Sequence, residues 1–309
     1  QDLSPLQWDM FFYIESKCTR SYIAGDDDQT IYTFQGADPS IFINLKGELD
    51  PQIKSRRVPE AIHKLATSIF PHMSQRLVKK WEPRESVGKV YTHVDFHSID
   101  FSKENWMILT RTNKMLEPLR EHLYDLNLRF DAKSQELLPN KMLTAYRTWI
   151  RLNQGAFVNK EEVEDLWNYL TVKKGHLVRG YAGGKTLETI DSINIEGLRE
   201  HHGLRATGSW DTLNFPESSK TYIRTILNNG DDLMKPARIK LSTIHSVKGE
   251  ECDNVVLFTD LERIIYESAQ RDADPEHRTF FVGITRAKEK IFITNQDYEY
   301  QYNIGVPLI

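Results

Sequence analysis

The chain has 309 residues, 39% hydrophobic and 27% charged, with a formal net charge of −4. This is the balance of a soluble globular protein with room for two domains, and no apolar run approaches the roughly 20 residues that span a bilayer. Cys18 and Cys252 are the only cysteines and lie far apart, which argues against a disulfide framework or a zinc site and fits a reducing cytosol.

The opening Gln1-Asp2-Leu3-Ser4-Pro5 lacks the basic and apolar regions of a signal peptide, so a cytoplasmic location is expected. Leu6, Met10, Tyr13 and Ile14 recur at helical spacing and predict a helix over residues 6–17. Tyr22, Ile23 and Ala24 predict a short buried strand that breaks at Gly25 into the polar loop Asp26-Asp27-Asp28-Gln29. Taken alone, the three aspartates read as a solvated loop, and Tyr32 and Phe34 as core or edge residues. Taken together, Gln29 can hydrogen-bond a phosphate or a water, and the two rings can stack on unpaired bases. Asp38-Pro39-Ser40 caps a helical turn.

Arg56 and Arg57 precede Pro59 and a predicted helix over 60–81, broken at Pro71. Without other motifs they are a plain exposed pair. Residues 89–96 alternate like a strand. Trp106 to Thr110 is a short buried strand that ends in Arg111-Thr112-Asn113 and opens a helix over 114–126. A fixed cation at such a strand end lowers the cost of a polyanion track. Residues 127–236 are less readable: 137–152 and 161–170 are helix-like, and 175–236 is rich in Gly, Asn, Asp and Ser. Gly180 to Thr186 imitates a phosphate-binding loop, but Arg179 stands where its first Gly belongs, so a flexible turn is expected. His201-His202 reads as a surface pair, since neighbouring side chains diverge and no further ligand sits at metal spacing. The strand over 238–242 enters Thr243-Ile244-His245-Ser246-Val247-Lys248-Gly249-Glu250-Glu251, and a second strand covers 254–259. Singly, His245 reads as a structural histidine and Glu250-Glu251 as a solvated pair. Glu276 to Lys290 reads as a helix that turns into a strand over 290–294.

Four of these segments, in this order, resemble motifs III, IV, V and VI of the superfamily 1 helicases of the UvrD/Rep/PcrA type. Gly25 to Ala37 resembles motif III, with Gln35 where the family has Arg. Trp106 to Asn113 resembles motif IV. Thr243 to Glu251 matches motif V at every spacing, and Glu276 to Lys290 resembles motif VI. Gln1 to Trp8 looks like the tail of motif II, so the Asp-Glu pair that holds magnesium in the family is expected just upstream of residue 1, in a longer protein.

The resemblance implies an α/β fold of RecA-like motor domains of the P-loop NTPase type, each a parallel sheet with flanking helices. Residues 1–54 would end the first motor domain, 55–126 and 237–309 would form the second, and 127–236 would be a mainly helical accessory insertion. It implies ATP with Mg2+, and single-stranded DNA and DNA junctions as partners. Gln29, Arg57 and Arg286 would sense the γ-phosphate as catalytic residues, the two arginines as fingers that only a planar permanent cation can supply. Arg56 stands where the family has a Tyr stacked on adenine, a role that a guanidinium can fill. Lys248, Gly249 and Glu251 would complete the ATP site, with Glu251 on the ribose. Tyr32, Phe34, Arg111, Asn113, Thr243 and His245 would line the DNA track. No metal ligand is expected within the chain. The expected function is a 3′–5′ ATP-dependent DNA helicase and translocase, with residues 1–309 inactive in isolation. The alternative is a non-catalytic nucleic-acid-binding or interaction module that keeps the helicase fold.

Overall fold

Short runs that are apolar on both faces have one stable arrangement, a parallel sheet covered by helices on either side. The computed structural model, which describes residues 1–132 and 138–306, has such a sheet in the first of two compact units. That unit comprises residues 1–122 and 238–309, and the second comprises 123–237. The strands that the first unit contributes to this sheet are β1 (Lys89–Tyr91), β2 (Trp106–Thr110), β3 (Ile239–Thr243), β4 (Cys252–Phe258) and β5 (Ala287–Thr294). They lie in the order β1-β5-β4-β2-β3, and every neighbouring pair is parallel. β2 lies between β4 and β3 and is buried at every residue. Its Met107 and Leu109, with Val255 and Leu257 of β4, face a core that includes Ile62 and Ala66 of the Glu60–Thr67 helix and Phe280, Phe281 and Ile284 of the Asp274–Ile284 helix. By the strand period of two, Ile108 and Phe258 face the other side, where Phe96 packs on Phe258 at 5.2 Å between ring centres.

The expected elements differ from these in instructive ways. The first helix runs Pro5–Glu15, closed by a capping box between Ser4 and Gln7. Its supposed core face is on the surface: Leu6, Met10, Tyr13 and Ile14 are exposed, and only Trp8 is buried. Tyr22 to Ala24 is not a strand. Tyr22 is 89% exposed, and a strand needs a ladder partner that none of the described residues supplies. β1 stops at Tyr91 because His93 takes a left-handed φ of 55°, which breaks the ladder. The helix expected over 60–81 ends at Thr67, followed by a single 3-10 turn, Phe70–His72. Pro71 has no N–H to continue it. Past this point the chain is not helical, and Arg76 and Lys79 project toward the Asp26–Asp28 loop.

That loop is not solvated. Asp27 and Asp28 are each 1% exposed, so burial demands counter-charges. Arg76 grips Asp28 through two bonds of 3.0 Å. The Lys79 ammonium lies 2.5 Å from Asp26, 2.5 Å from Asp27 and 3.1 Å from Asp28. Burial works against the charge on Lys79, but Asp26 and Asp28 outweigh it and raise its pKa. The Leu77 N–H donates to Asp27 at 2.7 Å. Gly25 makes the close approach possible, since a Cβ there would come within 2.7 Å of the Phe42 ring.

The second unit has its own core, built from Trp149 and Leu152 of the Asn140–Asn153 helix, Val163 and Leu166 of Lys160–Trp167, Leu198 of Ile195–His201, and Ile223 and Ile226 of Glu217–Asn228. Of the helix expected over 137–152, Leu137 lies outside the described residues. Gly183 and Gly184 lead into a 3-10 turn, Lys185–Thr189, with no strand running into it. His201 is exposed, as a surface pair requires, but His202 is buried at the helix end and burial lowers its pKa. Among the described residues no helix is long and apolar enough to cross a membrane.

Removing one partner of a buried ion pair leaves an uncompensated charge, which costs about 3–5 kcal/mol. Arg76→Met is therefore expected to destabilise the first unit by that order, read from the urea midpoint. Asp28→Asn combined with Arg76→Met should recover part of the loss.

Candidate functional site

Asp274–Ile284 is the element that places the site. Every residue of this helix except Pro275 is buried. Its first turn lies at the carboxyl end of β2, where Glu276 meets Arg111. Its last turn hands over to Arg286 at the amino ends of β4 and β5, where the Cys252 N–H donates to the Arg286 carbonyl at 3.0 Å. Ten residues of helix, roughly 15 Å, separate the two ends.

At the Arg286 end the positive charge is under-compensated. Arg286 is 1% exposed. Its Nε donates to the Val282 carbonyl at 2.9 Å and its Nη1 to the Glu250 carbonyl at 3.1 Å. Its Nη2 reaches the Thr285 hydroxyl at 3.1 Å and Gln29 Oε1 at 3.4 Å. Arg57 lies 3.7 Å from Glu251, and its Nε is buried with no hydrogen-bond partner. Burial lowers the pKa of Arg57, with Glu251 pulling the other way. Burial, and then repulsion from Arg57, pushes Arg286 down to about 9, which leaves it a cation at neutral pH. Two cations in a covered site, one with a donor unspent, are suited to an anion such as a phosphate. Gln29 is oriented for the same place. Its amide Nε2 donates to Asp26 at 2.6 Å, and since a carboxylate only accepts, the amide oxygen must turn toward Arg286.

The remaining expected nucleotide contacts are arranged unequally. Glu251 is half-exposed between Arg57 and Lys288. Gly249 turns the chain at a left-handed φ of 92°, with open space where a side chain would be. Arg56 is exposed. The Lys248 ammonium is engaged within the protein, at 2.6 and 2.5 Å from the Asp2 carboxylate and 2.7 Å from the Gln29 carbonyl. The only group of three or more carboxylate, His or Cys side chains close enough to share a metal, among the described residues, is Asp26, Asp27 and Asp28. The Lys79 ammonium already fills the place of a cation there.

A second cluster lies at the end of β3. The His245 ring sits 5.5 Å from Phe34 and 6.3 Å from Tyr32, and the two aromatic rings are 6.1 Å apart. The Tyr32 hydroxyl donates to the His245 carbonyl at 3.2 Å, and Lys248 lies 5.1 Å over the Tyr32 ring. Phe34 is 68% exposed, a large apolar face in water that a base can cover. Thr243 is buried and bonded to the Ser246 hydroxyl at 3.0 Å, in register with Thr110 of β2. Arg111, one residue beyond Thr110, forms a bidentate pair with Glu276 at 2.7 and 2.7 Å, and Asn113 is exposed. Burial, and then the Arg111 charge, pushes His245 down to about 4.

Gln29, Arg57, Arg286 and Glu251 thus converge at one end of the helix, and Tyr32, Phe34 and His245 form one aromatic cluster. Sequence reading assigned no role to Lys79, Arg76, Glu276 or Arg278. The one available signal was chemical: three adjacent carboxylates, if buried, need cations, but several Lys and Arg residues follow them and nothing in the sequence singles out Arg76 and Lys79.

His245 titrates near 6.5 when unfolded and near 4 when folded. A lowered folded value means that stability is complete above 6.5 and is lost as pH falls toward 4. The expected loss across that window is about 1–3 kcal/mol. Urea unfolding at several pH values should show it, and His245→Gln should flatten it.

Comparison with known families agrees with this geometry. Residues 1–50 match the UvrD/REP helicase N-terminal domain, and residues 217–298 match the UvrD-like helicase C-terminal domain. No curated protein matches the chain. One match takes in the Gln29 loop and the other Thr243, His245, Arg286 and strands β3, β4 and β5, and together they support a UvrD/Rep-type helicase.

Proposed function

We propose that the protein is part of an ATP-driven DNA translocase and helicase that moves 3′–5′ on single-stranded DNA and unwinds duplex and junction substrates. In this reading its sheet belongs to a RecA-like motor. The observation that carries it is the under-compensated arginine pair: buried Arg286, and Arg57 with an unspent buried Nε, facing Gln29. The residues fit a nucleotide phosphate. Arg57 and Arg286 supply charge that is already desolvated, so it need not be stripped of water as the γ-phosphoryl group departs. Gln29 presents an amide oxygen that can accept from an attacking water. Glu251, half-exposed between Arg57 and Lys288, can accept from a ribose hydroxyl, and the exposed Arg56 can lie on the face of a purine. ATP supplies the phosphoryl group and Mg2+ its charge neutralisation.

The polynucleotide track comprises Phe34 and Tyr32 as stacking faces, with Arg111, Asn113, Thr243 and His245 beside them. His245 acts there as a neutral hydrogen-bonding group. Gln29 and Phe34 are five residues apart on one loop, so a shift of Gln29 on nucleotide binding moves the stacking face. Nucleotide state then biases the grip on the strand, the elementary step of translocation.

Two binding measurements on residues 1–309 test this. Mg-ATP should raise the melting temperature in a concentration-dependent way, and Arg286→Gln or Arg57→Gln should abolish the rise. An equal rise in the variants would refute the arginine assignment. Phe34→Ala should weaken binding of labelled oligo(dT) by about 1–3 kcal/mol, the usual worth of one stacked base. Tight oligonucleotide binding with no response to ATP would favour the non-catalytic module.

A further inference from the structure

The Arg111–Glu276 pair, like Arg76–Asp28, is bidentate and largely covered. Both carboxylate oxygens are used, at 2.7 Å each, by Nε and Nη2 of one guanidinium. The side chains are largely covered, 18% exposed for Arg111 and 7% for Glu276. A covered bidentate pair fixes the plane of the guanidinium as well as its position. Arg111 is also close enough to His245 to depress its titration, so the fixed charge lies beside the ring cluster of Phe34 and Tyr32.

Both oxygens of Glu276 are engaged by Arg111. Its place in the chain gives Glu276 a further use. It stands in the first turn of the helix that ends beside Arg286. Between the two, Arg278 donates to the Asp27 carbonyl at 3.1 Å, and at the helix start, ahead of Glu276, Asp274 accepts from the Ser74 and Gln75 N–H groups at 2.7 and 3.0 Å. The helix is therefore tied at one end to the strand end that carries Arg111, in the middle to the Gln29 loop, and at the other end to Gln29 itself.

We propose that Glu276 is a positioning residue: it aims Arg111 at the polynucleotide backbone and makes the Asp274–Ile284 helix the rigid strut through which occupancy of that track reaches Arg286. The inference rests on the polynucleotide reading above. Arg111 remains a cation when Glu276 is neutralised, so the number of phosphates contacted is unchanged while the aim is lost.

The test uses residues 1–309, fluorescein-labelled oligo(dT) and hydrogen exchange. In the wild type, oligo(dT) should bind and slow amide exchange at residues 283–287. Glu276→Gln should weaken binding about fivefold or more with an unchanged salt slope, and should lose the protection at 283–287; Glu276→Asp, which keeps the charge, should restore part of both. Arg111→Gln should instead reduce the salt slope by about 0.7, one phosphate on a single strand. Wild-type affinity and protection in Glu276→Gln would overturn the assignment of Glu276. Failure of the wild type to bind oligo(dT) would overturn the polynucleotide reading itself. Should Glu276→Gln fail to fold, the exchanged pair R111E/E276R retains an ion pair: it is expected to fold and to lose oligonucleotide binding, and wild-type binding by it would overturn the proposal.

Discussion

A helix laid on a sheet with Asp274, Glu276, His277, Arg278 and, just beyond its end, Arg286 all buried cannot stay there unless each polar group finds a partner. That requirement organises the first unit. Asp274 takes the backbone of residues 74 and 75, Glu276 takes Arg111, His277 lies 2.7 Å from the Tyr302 hydroxyl, and Arg278 takes the carbonyls of Asp27 and Gln75. Each pairing recruits a different loop. The loops that would handle nucleotide and polynucleotide are thus fixed to one helix by the cost of leaving its charges unpaired.

Compensation along the helix is uneven, and the unevenness is informative. Near its start, charges are matched one to one. At its end, Arg286 is bonded to two carbonyls, a hydroxyl and an amide, with Arg57 close enough to repel it. Neutral acceptors stabilise a guanidinium less than a carboxylate does, so this end holds unspent binding energy for an anion. The same holds for Arg57, whose Nε has no acceptor. By contrast the Asp26–Asp28 group, which on composition alone resembles a metal site, is closed by Lys79 and Arg76 and serves to hold the Gln29 loop in place.

Much of this was legible in the sequence, and the boundary is physical. β2 and the 255–258 part of β4 announce themselves as apolar runs, because a parallel strand buried on both faces has little freedom to be polar, whereas β3 carries Lys240, Ser242 and Thr243. Arg111, Thr243 and His245 lie where β2 and β3 end, whereas Gln29, Tyr32, Phe34 and Arg57 follow no strand, and their grouping was expected only from the family resemblance. What could not be read were the partners across long separations. Asp28 and Arg76 are 48 residues apart and Arg111 and Glu276 are 165 apart, and nothing local marks either pairing. The apolar spacing of the Pro5–Glu15 helix misled for a related reason: periodicity reports which face is apolar, and whether that face is covered depends on what packs on it.

These constraints also limit how the site can change. A packed core resists continuous deformation, so loops tied to one buried helix shift together or not at all. An anion that draws Arg286 from Gln29 removes only a 3.4 Å contact, the longest of those that hold its guanidinium, while the carbonyl bonds and the buried pairs nearer the helix start persist. The least costly motion is therefore at Gln29, whose own amide is held by Asp26, and five residues farther along the loop is Phe34, exposed and in ring contact with His245. A binding event at the arginine pair has its easiest outlet at the stacking face, because every other connection from Arg286 runs through groups too costly to unpair.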